Sequence, residues 1–252
     1  MADTYYSPDL SISILTLILV SPFILLAIIK SVLSRPDGHK PISTTEVSGL
    51  YVYPINSCRG FQINRVLLHM QGLDLDRLWM IVDARTQKFL SIRELPKMTL
   101  PKMTLIKTGL NTNRMLHITV PGDEANSVII PTLPSAGWLE TNTTLARVQI
   151  WNTETDGYLY GPPVNDLFSH FLRREVCLVY KGPTPRILRG NGSPEILRRT
   201  QDTFFQDVHP VTIASETSLP ELNSRLVAKE IAPMAMERFR PNIIVKGNAP
   251  WA

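Results

Sequence analysis

The sequence is short of cysteine, and this shortage excludes several classes of protein. Among its 252 residues only Cys58 and Cys177 carry thiols. They stand far apart, outside any C-x-x-C or Cys/His spacing that a zinc site needs. A disulfide-rich scaffold is therefore excluded. Reduced thiols in the cytosol are the expected state, and the sequence does not exclude a single disulfide between the two cysteines.

The chain also lacks any run of lysine or arginine with interleaved aromatic residues. Its formal net charge is +4, from 26 Lys and Arg against 22 Asp and Glu, and the whole excess follows residue 40. So small an excess is typical of a solvated surface, and no nucleic-acid partner is expected. A small anionic ligand is a better match for this modest positive charge than a nucleic acid.

One long hydrophobic run is present near the beginning of the chain. No charged residue occurs from Leu10 to Ile29, and about twenty apolar residues span a bilayer core. Acidic residues precede the run and basic residues follow it, which is unlike a secretory signal and places the following body in the cytosol. We predict a tail over 1–9, a transmembrane helix over 10–30 and a linker over 31–43. A signal peptide, a buried core helix and an interfacial segment are the alternatives.

After residue 44 the sequence consists of short β-branched and aromatic runs separated by turns, a pattern that predicts a barrel or sandwich. Apolar residues within Val164–Arg173 recur at i, i+3, i+4, i+7 and i+8, which predicts a helix. Residues 186–200, rich in Gly, Pro and Arg, are predicted to form a solvated loop. The fold class is therefore mainly β with α (α+β). The predicted strands are 49–53, 66–69, 79–83, 89–92, 116–120, 127–130, 147–150 and 176–180.

A second helix is predicted from its start signal. Ser218 and Glu221 have the spacing of a capping box, with Ser218 as N-cap, so the helix should run through Leu222 to about Val227. Ser215 and Thr217 precede its N-terminus, where free N–H groups attract anions. Their hydroxyls either cap the helix or cradle an anion, and the spacing alone favours the cap.

One segment is duplicated. Residues 96–100, PKMTL, are repeated at once as residues 101–105. Five extra residues within a strand would turn every later side chain to the opposite face, so the extra copy is predicted to loop out or bulge. Two copies are too few for a solenoid, and we interpret the repeat as a local duplication, or a gene-model fault, without functional meaning.

Several motifs together carry a family resemblance. They are VSGLYVYPINSCRG at 47–60, GL at 72–73 with DRLWM at 76–80, FQDVHP at 205–210, SETSL at 215–219 with LN at 222–223, and RFRPN at 238–242. The first two resemble the N-terminal β-barrel domain that precedes MOSC domains (molybdenum cofactor sulfurase C-terminal-like), and the others resemble the MOSC domain. With the hydrophobic run, the chain resembles the mitochondrial amidoxime-reducing component branch of this family.

The resemblance implies a MOSC N-terminal β-barrel domain over 44–150, a partial MOSC β-barrel domain over 151–252 and binding of the molybdenum cofactor (molybdopterin). Arginine forks suit the cofactor's terminal phosphate. In this scheme Arg77 pairs with the phosphate, while Asp207 and His209 hydrogen-bond the pterin. Without the family, Arg77 fits a salt bridge with Asp76 or Glu94 equally well, and Asp207 fits a helix or turn cap. The implied cofactor-binding residues are Asn56, Ser57, Arg77, Asp207, His209, Ser215, Arg240 and Asn242.

Two departures from the family pattern matter. The family usually has lysine where Asn56 stands, and the loss of that ammonium removes a charge-assisted contact of about 1.5 to 3 kcal/mol. MOSC proteins also continue beyond the Arg-Pro-Asn strand to the cysteine that binds molybdenum, and neither Cys58 nor Cys177 matches it. A fragment or a truncated product is therefore expected, and no catalytic or metal-binding residue is assigned.

The resemblance implies an oxidoreductase that reduces N-hydroxylated compounds, with electrons from a haem-protein partner. The anchor over 10–30 would make it a single-pass membrane protein with its body facing the cytosol, at the mitochondrial outer membrane. The alternatives are a molybdenum cofactor sulfurase-like or carrier module, and a non-catalytic truncated product. Pyridoxal phosphate is not expected, because nothing in the chain resembles the domain that binds it in the sulfurase branch.

Overall fold

A computed structural model describes residues 45–99, 102–107 and 114–251. The predicted tail, transmembrane helix and linker lie outside these described residues. Within the described ranges, no helix has both the length and the apolar character needed to cross a membrane.

Strands dominate the described residues, and short helices connect some of them, so the prediction of a mainly β fold with α is confirmed. The strands are β1 (Glu46–Val52), β2 (Phe61–Gln62), β3 (Leu68–His69), β4 (Gly72–Leu73), β5 (Trp79–Asp83), β6 (Lys102–Lys107), β7 (Arg114–Val120), β8 (Asp123–Pro131), β9 (Thr143–Ile150), β10 (Thr153–Tyr160), β11 (Val176–Lys181), β12 (Arg186–Ile187), β13 (Asp202–Thr203), β14 (Ile213–Ser215) and β15 (Ile243–Lys246). The α-helices are α1 (Ala136–Asn142), α2 (Pro162–Leu172), α3 (Pro194–Leu197) and α4 (Ser218–Val227), and 3-10 helices span Pro96–Thr99, Gly190–Gly192 and Met236–Phe239.

A four-stranded antiparallel sheet in the order β5-β11-β10-β9 forms the centre of the fold. Its two edges meet across residues 88–89, because Phe89 bridges to Val82 of β5 and Lys88 bridges to Gln149 of β9. The sheet thus closes on itself, as expected for a barrel. Its strand β5 is buried from Trp79 to Val82.

Helix α2 covers one side of this sheet. It begins with Pro162 in its first turn, where proline's missing N–H costs nothing, and ends at Arg173 in the left-handed conformation. Leu167, Phe168 and Leu172 are its buried residues and belong to the same core as Trp79. The predicted helix is confirmed.

A second sheet joins the first described strand to the last, in the order β14-β15-β1-β2. β15 pairs antiparallel with β1 and parallel with β14. The backbone N–H of Tyr51 donates to the carbonyl of Asn242 at 2.8 Å. This pairing brings the loop after β1 beside the residues that precede β15, and most of the predicted site depends on it.

The third sheet, β6-β7-β8, shows what becomes of the duplication. Pro96–Thr99 of the first copy forms a 3-10 helix in which Met98 is fully buried, whereas the second copy contributes β6. One copy thus lies outside the strand, as predicted for the extra copy, and it forms a 3-10 helix that buries Met98.

Some sequence predictions need correction. Residues 89–92 do not form a strand, because Ser91 starts a turn in which its carbonyl accepts from the N–H of Glu94 and its hydroxyl donates to the Glu94 carboxylate. Strand β10 was not predicted, since its polar TETDGYLY segment is strand only through its neighbours on both sides. The predicted loop 186–200 contains β12, a 3-10 helix and α3.

The start of α4 also differs from the prediction. The helix exists, but its N-cap is Thr217 in a helical conformation, with no side-chain capping bond. The Ser218 hydroxyl instead accepts from the N–H of Trp251 at 2.9 Å, and the Glu221 carboxylate accepts from Arg225 at 2.9 Å. Both groups of the predicted capping box thus have other partners.

Candidate functional site

Most of the predicted site residues come from four loops that meet next to β1 and β15. Asn56 and Ser57 follow β1, Arg77 precedes β5, Asp207 follows β13, and Arg240 with Asn242 precedes β15. Ser57, Arg77 and Arg240 have left-handed backbones, with φ of 67°, 51° and 52°. Each such residue costs on the order of 1 kcal/mol of conformational energy, and residues strained in this way cluster at functional sites.

The centre of the site is a buried ion pair. Asp76 is fully buried, and both of its carboxylate oxygens accept from Nη1 of Arg77, at 2.8 and 2.6 Å. Oδ1 of Asp76 also accepts from the N–H of Tyr53 at 2.9 Å and from Nδ2 of Asn242 at 2.8 Å. Burial raises the pKa of Asp76, while Arg77 acts in the opposite direction. Since every partner is a donor, the ionised carboxylate suits this environment.

A second guanidinium lies beside the first. The Cζ atoms of Arg77 and Arg240 are 4.5 and 4.4 Å from the centroid of the same Tyr53 ring, which both contact as cations on a π face. Nη2 of Arg77 donates to the carbonyl of Arg240 at 3.2 Å. We call Tyr53, Asp76, Arg77, Arg240 and Asn242 the arginine cluster.

The arginine cluster has more positive charge than it neutralises. Two guanidiniums face a single buried carboxylate, and burial together with the charge of Arg77 lowers the pKa of Arg240 to about 10. Nη1 of Arg240 donates to the carbonyl of Cys58. Nη2 of Arg240, also buried, has no hydrogen-bond partner among the described residues. An unpaired buried donor beside excess positive charge is suited to bind an anion, which would accept the hydrogen bond and neutralise the charge.

Asn56 connects the arginine cluster to the surface. Its Nδ2 donates to the carbonyl of Phe205 at 2.7 Å and to Oδ1 of Asp207 at 3.2 Å, and its Oδ1 accepts from the N–H of Ser57 at 2.7 Å. The N–H of Phe205 in turn donates to the carbonyl of Arg77 at 3.0 Å. Asn56 is buried and Asp207 is exposed, so the pair leads from the interior to solvent.

The loop that carries Asp207 is held by buried Arg186. Nε of Arg186 donates to the carbonyl of Phe204 at 2.7 Å, and its Nη2 donates to the carbonyl of Gln206. Burial lowers the pKa of Arg186 to about 10. A guanidinium that bridges two carbonyls fixes the path of the chain on either side of Phe205.

The side chains of three predicted residues make no hydrogen bond to the arginine cluster or to the Asn56–Asp207 pair. The Ser57 hydroxyl accepts from the N–H of Ile92 at 3.2 Å, which ties it to a neighbouring turn. The Ser215 hydroxyl bonds that of Thr217 at 2.8 Å, and Thr217 donates to the carbonyl of Asn248 at 2.8 Å. The side chain of His209 is exposed, and it makes no hydrogen bond within the described ranges. The described structure therefore brings together Asn56, Arg77, Asp207, Arg240 and Asn242.

The two thiols are not placed as metal ligands. Cys58 is fully buried, and burial raises the pKa of its thiol to about 12, so it is protonated at neutral pH. Cys177 lies on β11, and burial raises its pKa as well. Over residues 45–99, 102–107 and 114–251, no three His, Cys, Asp or Glu side chains are grouped to hold a metal ion.

Surface clefts do not single out another site. Three clefts of about 300, 410 and 460 Å³ lie around Trp138, His170 and Glu154. None of the three has a wall residue from the arginine cluster or from the Asn56–Asp207 pair. The features that distinguish the arginine cluster are its charge and its unsatisfied buried donor.

Two aromatic residues of this region, Tyr53 and Trp151, are not among the predicted site residues. Tyr53, which contacts both guanidiniums, stood within the quoted motif but was not assigned a role. Trp151 donates its indole N–H to Oδ1 of Asp207 at 3.2 Å. It follows a predicted strand, and its place in a tight turn could be recognised only after β10 was identified, because the turn is defined by the two strands it connects.

Comparisons with known proteins identify the domains that this chain contains. The profile of the MOSC N-terminal beta barrel domain matches residues 44–175, and that of the MOSC domain matches residues 200–252. Mitochondrial amidoxime-reducing component 1 of Mus musculus is 26% identical over 211 residues, which are 82% of this chain and 57% of that protein. Mitochondrial amidoxime reducing component 2 of Rattus norvegicus is 28% identical, with 85% of this chain and 60% of that protein aligned.

A relative of another kind is equally similar. Molybdenum cofactor sulfurase of Arabidopsis thaliana is 29% identical over 220 residues, which are 81% of this chain and 25% of that protein. The chain thus spans little more than half the length of the two amidoxime-reducing relatives and a quarter of the sulfurase. Both kinds of relative align with most of this chain, so the match lies in the domains they share.

Proposed function

Because this chain belongs to the MOSC family, we propose that it binds the molybdenum cofactor, with the anionic phosphate at the arginine cluster. The single observation that supports this most strongly is Nη2 of Arg240, a buried donor without a partner among the described residues, beside a second guanidinium. A phosphate oxygen would accept from that donor and offset the excess positive charge.

The residues present fit such a group in charge and in kind. Arg77 is already oriented by Asp76 and Asn242, so little side-chain freedom is lost when an anion binds. Asn56 and Asp207 offer an amide and a carboxylate on the path to the surface, which suits a ring that carries N–H donors. Asn56 replaces the family's usual lysine, so this chain relies on the two arginines for positive charge.

The proposed reaction is the reduction of N-hydroxylated compounds, as the names of the amidoxime-reducing relatives indicate for those proteins. When bound, the cofactor would supply the electron pair that, with two protons, converts an N–OH group to N–H and water. The described residues bind and orient the cofactor. The arginine cluster holds the anion, and no role is assigned to the buried thiol of Cys58.

The proposal includes a membrane anchor over residues 10–30, with the body in the cytosol at the mitochondrial outer membrane. The support for the anchor is the uncharged run, with acidic residues before it and basic residues after it. A haem protein is the proposed source of electrons. Both the location and this partner rest on the resemblance to the amidoxime-reducing branch.

The second candidate is a cofactor-handling module of the sulfurase kind, favoured by the similarity to the Arabidopsis protein. Both candidates need the same anion site. They differ in the product, since a sulfurase-like module changes the sulfur bound to the cofactor and an amidoxime reductase changes an N–O bond. An assay of N–OH reduction with a chemical electron donor separates them.

The test is cofactor retention by the full chain, purified in detergent from a host that makes molybdenum cofactor. Molybdenum is measured by mass spectrometry and the pterin by its fluorescence after release. The wild type should retain both. Arg240→Gln should lose most of each, because the unpartnered guanidinium is removed. Arg238→Gln is the matched control, since Arg238 is exposed two residues away, and it should behave as the wild type.

Two results would contradict the proposal. If Arg240→Gln retains as much cofactor as Arg238→Gln, the arginine cluster does not bind the phosphate. If the wild type itself retains neither molybdenum nor pterin, the chain does not hold the cofactor. Circular dichroism of the three proteins shows whether each is folded to the same extent.

A further inference from the structure

Trp151 lies in a position that its backbone does not favour. It is the first of two residues, Trp151 and Asn152, that connect β9 to β10, where Ile150 pairs with Thr153. Its φ is 50°, a left-handed value that suits glycine or asparagine and is unusual for a bulky side chain. Its side chain is 41% exposed, so burial does not explain the choice of tryptophan.

The indole is nevertheless held by three side chains. Its Nε1 donates to Oδ1 of Asp207 at 3.2 Å, the oxygen that also accepts from Asn56. The ring of Phe89 meets it edge-on, with centroids 5.3 Å apart at 69°. The Cζ of Arg93 is 5.9 Å from the indole centroid. An exposed aromatic ring is thus fixed beside the carboxylate that leads to the arginine cluster.

This arrangement offers two kinds of contact to a ligand. The exposed part of the indole provides a surface on which a flat conjugated ring can stack. Oδ2 of Asp207 has no hydrogen-bond partner among the described residues, and it is an acceptor for a ligand N–H. A flat ring with an N–H donor at its edge would use both contacts at once.

We propose that Trp151 and Asp207 form a binding platform for a planar conjugated group that carries N–H donors, at the outer end of the site. This inference rests on the proposed function and deepens it. Two sources supply that chemistry: the pterin ring of the cofactor, and an aromatic amidoxime substrate. The platform assigns to Trp151 the stacking contact and to Asp207 the directional hydrogen bond.

The chain provides a matched control in Trp251. Its indole N–H also donates to a carboxylate, that of Glu221, and the Cζ of Arg225 is 5.0 Å from its ring centroid. Its φ is 64°, and its side chain is 58% exposed. The local chemistry is the same, but the Glu221 carboxylate has no bond to Asn56 or to the arginine cluster. Trp251→Asn therefore removes an equivalent indole at a distance from the proposed platform.

The experiment is calorimetric titration of the full chain, purified in detergent from a host that does not make molybdenum cofactor, with pterin and, separately, with benzamidoxime. Trp151→Asn is the main variant, because asparagine accepts the left-handed backbone and the turn is preserved. We expect the dissociation constant of at least one probe to rise about tenfold or more. Trp151→Phe keeps an aromatic surface and should weaken binding less. Trp251→Asn should bind as the wild type.

The outcomes separate the two sources and the two proposals. Loss of pterin affinity alone supports a cofactor platform, and loss of benzamidoxime affinity alone supports a substrate platform. If Trp151→Asn binds both probes as the wild type does, or if the wild type binds neither, the platform is overturned. Molybdenum retention by the wild type from a host that makes the cofactor reports on the proposed function independently. If the wild type retains the metal there while Trp151→Asn has no effect on either probe, only the platform is refuted.

Discussion

The buried ion pair at the centre of the arginine cluster leads to a quantitative prediction for Asp76→Asn. The substituted side chain keeps the shape of the carboxylate but loses its charge, and its amide presents donors to the guanidinium of Arg77. The cations of Arg77 and Arg240 then face each other without an anion. Their Cζ atoms lie at 4.5 and 4.4 Å from one ring centroid and so are at most about 9 Å apart.

At an effective dielectric constant of about 20, two charges at that separation repel by about 2 kcal/mol, a repulsion that the attraction to Asp76 offsets in the wild type and that nothing offsets in the variant. The unpaired buried cation of Arg77 adds its own desolvation cost, and breaking a buried pair typically costs about 3 to 5 kcal/mol in total. We expect the free energy of unfolding of Asp76→Asn to fall by about that amount. Equilibrium urea denaturation, followed by fluorescence and by circular dichroism, measures the change.

A second variant tests the cause. Asp76→Leu combined with Arg77→Met removes both charges, and it should be more stable than Asp76→Asn because no buried cation is left unpaired. If Asp76→Asn unfolds within about 1 kcal/mol of the wild type in a buffer without phosphate or other multivalent anions, the Arg77 cation is not desolvated. The buried excess of positive charge, on which the proposed anion site depends, would then be refuted.

The control for charge removal is the partly exposed pair of Asp83 and Arg174, with N–O distance 2.8 Å. Asp83→Asn should lower stability less than Asp76→Asn, since exposed pairs contribute little.

The remaining predictions concern single contacts and pH. Gly72→Ala should lower the free energy of unfolding by about 2 kcal/mol or more, because φ is 124° and a Cβ would lie 2.7 Å from the carbonyl oxygen of Pro210. Urea denaturation measures the change, with Gly137→Ala as the control, a helical site where the new Cβ has nothing within 4 Å. Equal stability of the two variants would refute the prediction. Tyr160→Phe should cost about 1 to 3 kcal/mol by leaving the buried indole N–H of Trp79 without its acceptor at 3.0 Å, and a thermal midpoint equal to that of the wild type would contradict this. Hydrogen bonds from Arg174 and Thr86 lower the pKa of Asp83, so the stabilisation that its carboxylate provides is present above about pH 4 and is lost as the pH falls further. The stability of Asp83→Asn should therefore fall less steeply below about pH 4 than that of the wild type. An equal fall in the two proteins would refute this prediction.

Much of the fold was predictable from local pattern. Strands such as β5 and β11 are apolar and β-branched, and α2 has one apolar face with proline at its start, so each is specified by residues close in sequence. The polar strand β10 was missed because its pairing partners determine it. The predicted strand at 89–92 failed because the Ser91–Glu94 turn overrides the β propensity of its neighbours.

The site was predictable in part. The family resemblance pointed to Asn56, Arg77, Asp207, Arg240 and Asn242, and the structure brings these five together. It also grouped them with Ser57, His209 and Ser215, whose hydrogen bonds or exposure place them apart from the arginine cluster. The roles of all eight residues in cofactor binding stay predictions. Single substitution of each, followed by the same measurement of molybdenum and pterin retention, tests them.

The sequence by itself determined the strand-rich character of the chain, the positions of α2 and α4, the exclusion of a disulfide scaffold and the set of basic residues available to an anion. Tertiary structure decided which charges meet. Asp76 and Asn242 are 166 residues apart in sequence, and Trp151 reaches Asp207 across 56 residues. Such contacts depend on how β1 pairs with β15 and β9 with β10. Because a strand pairing fixes positions far along the chain, no local pattern carries that information.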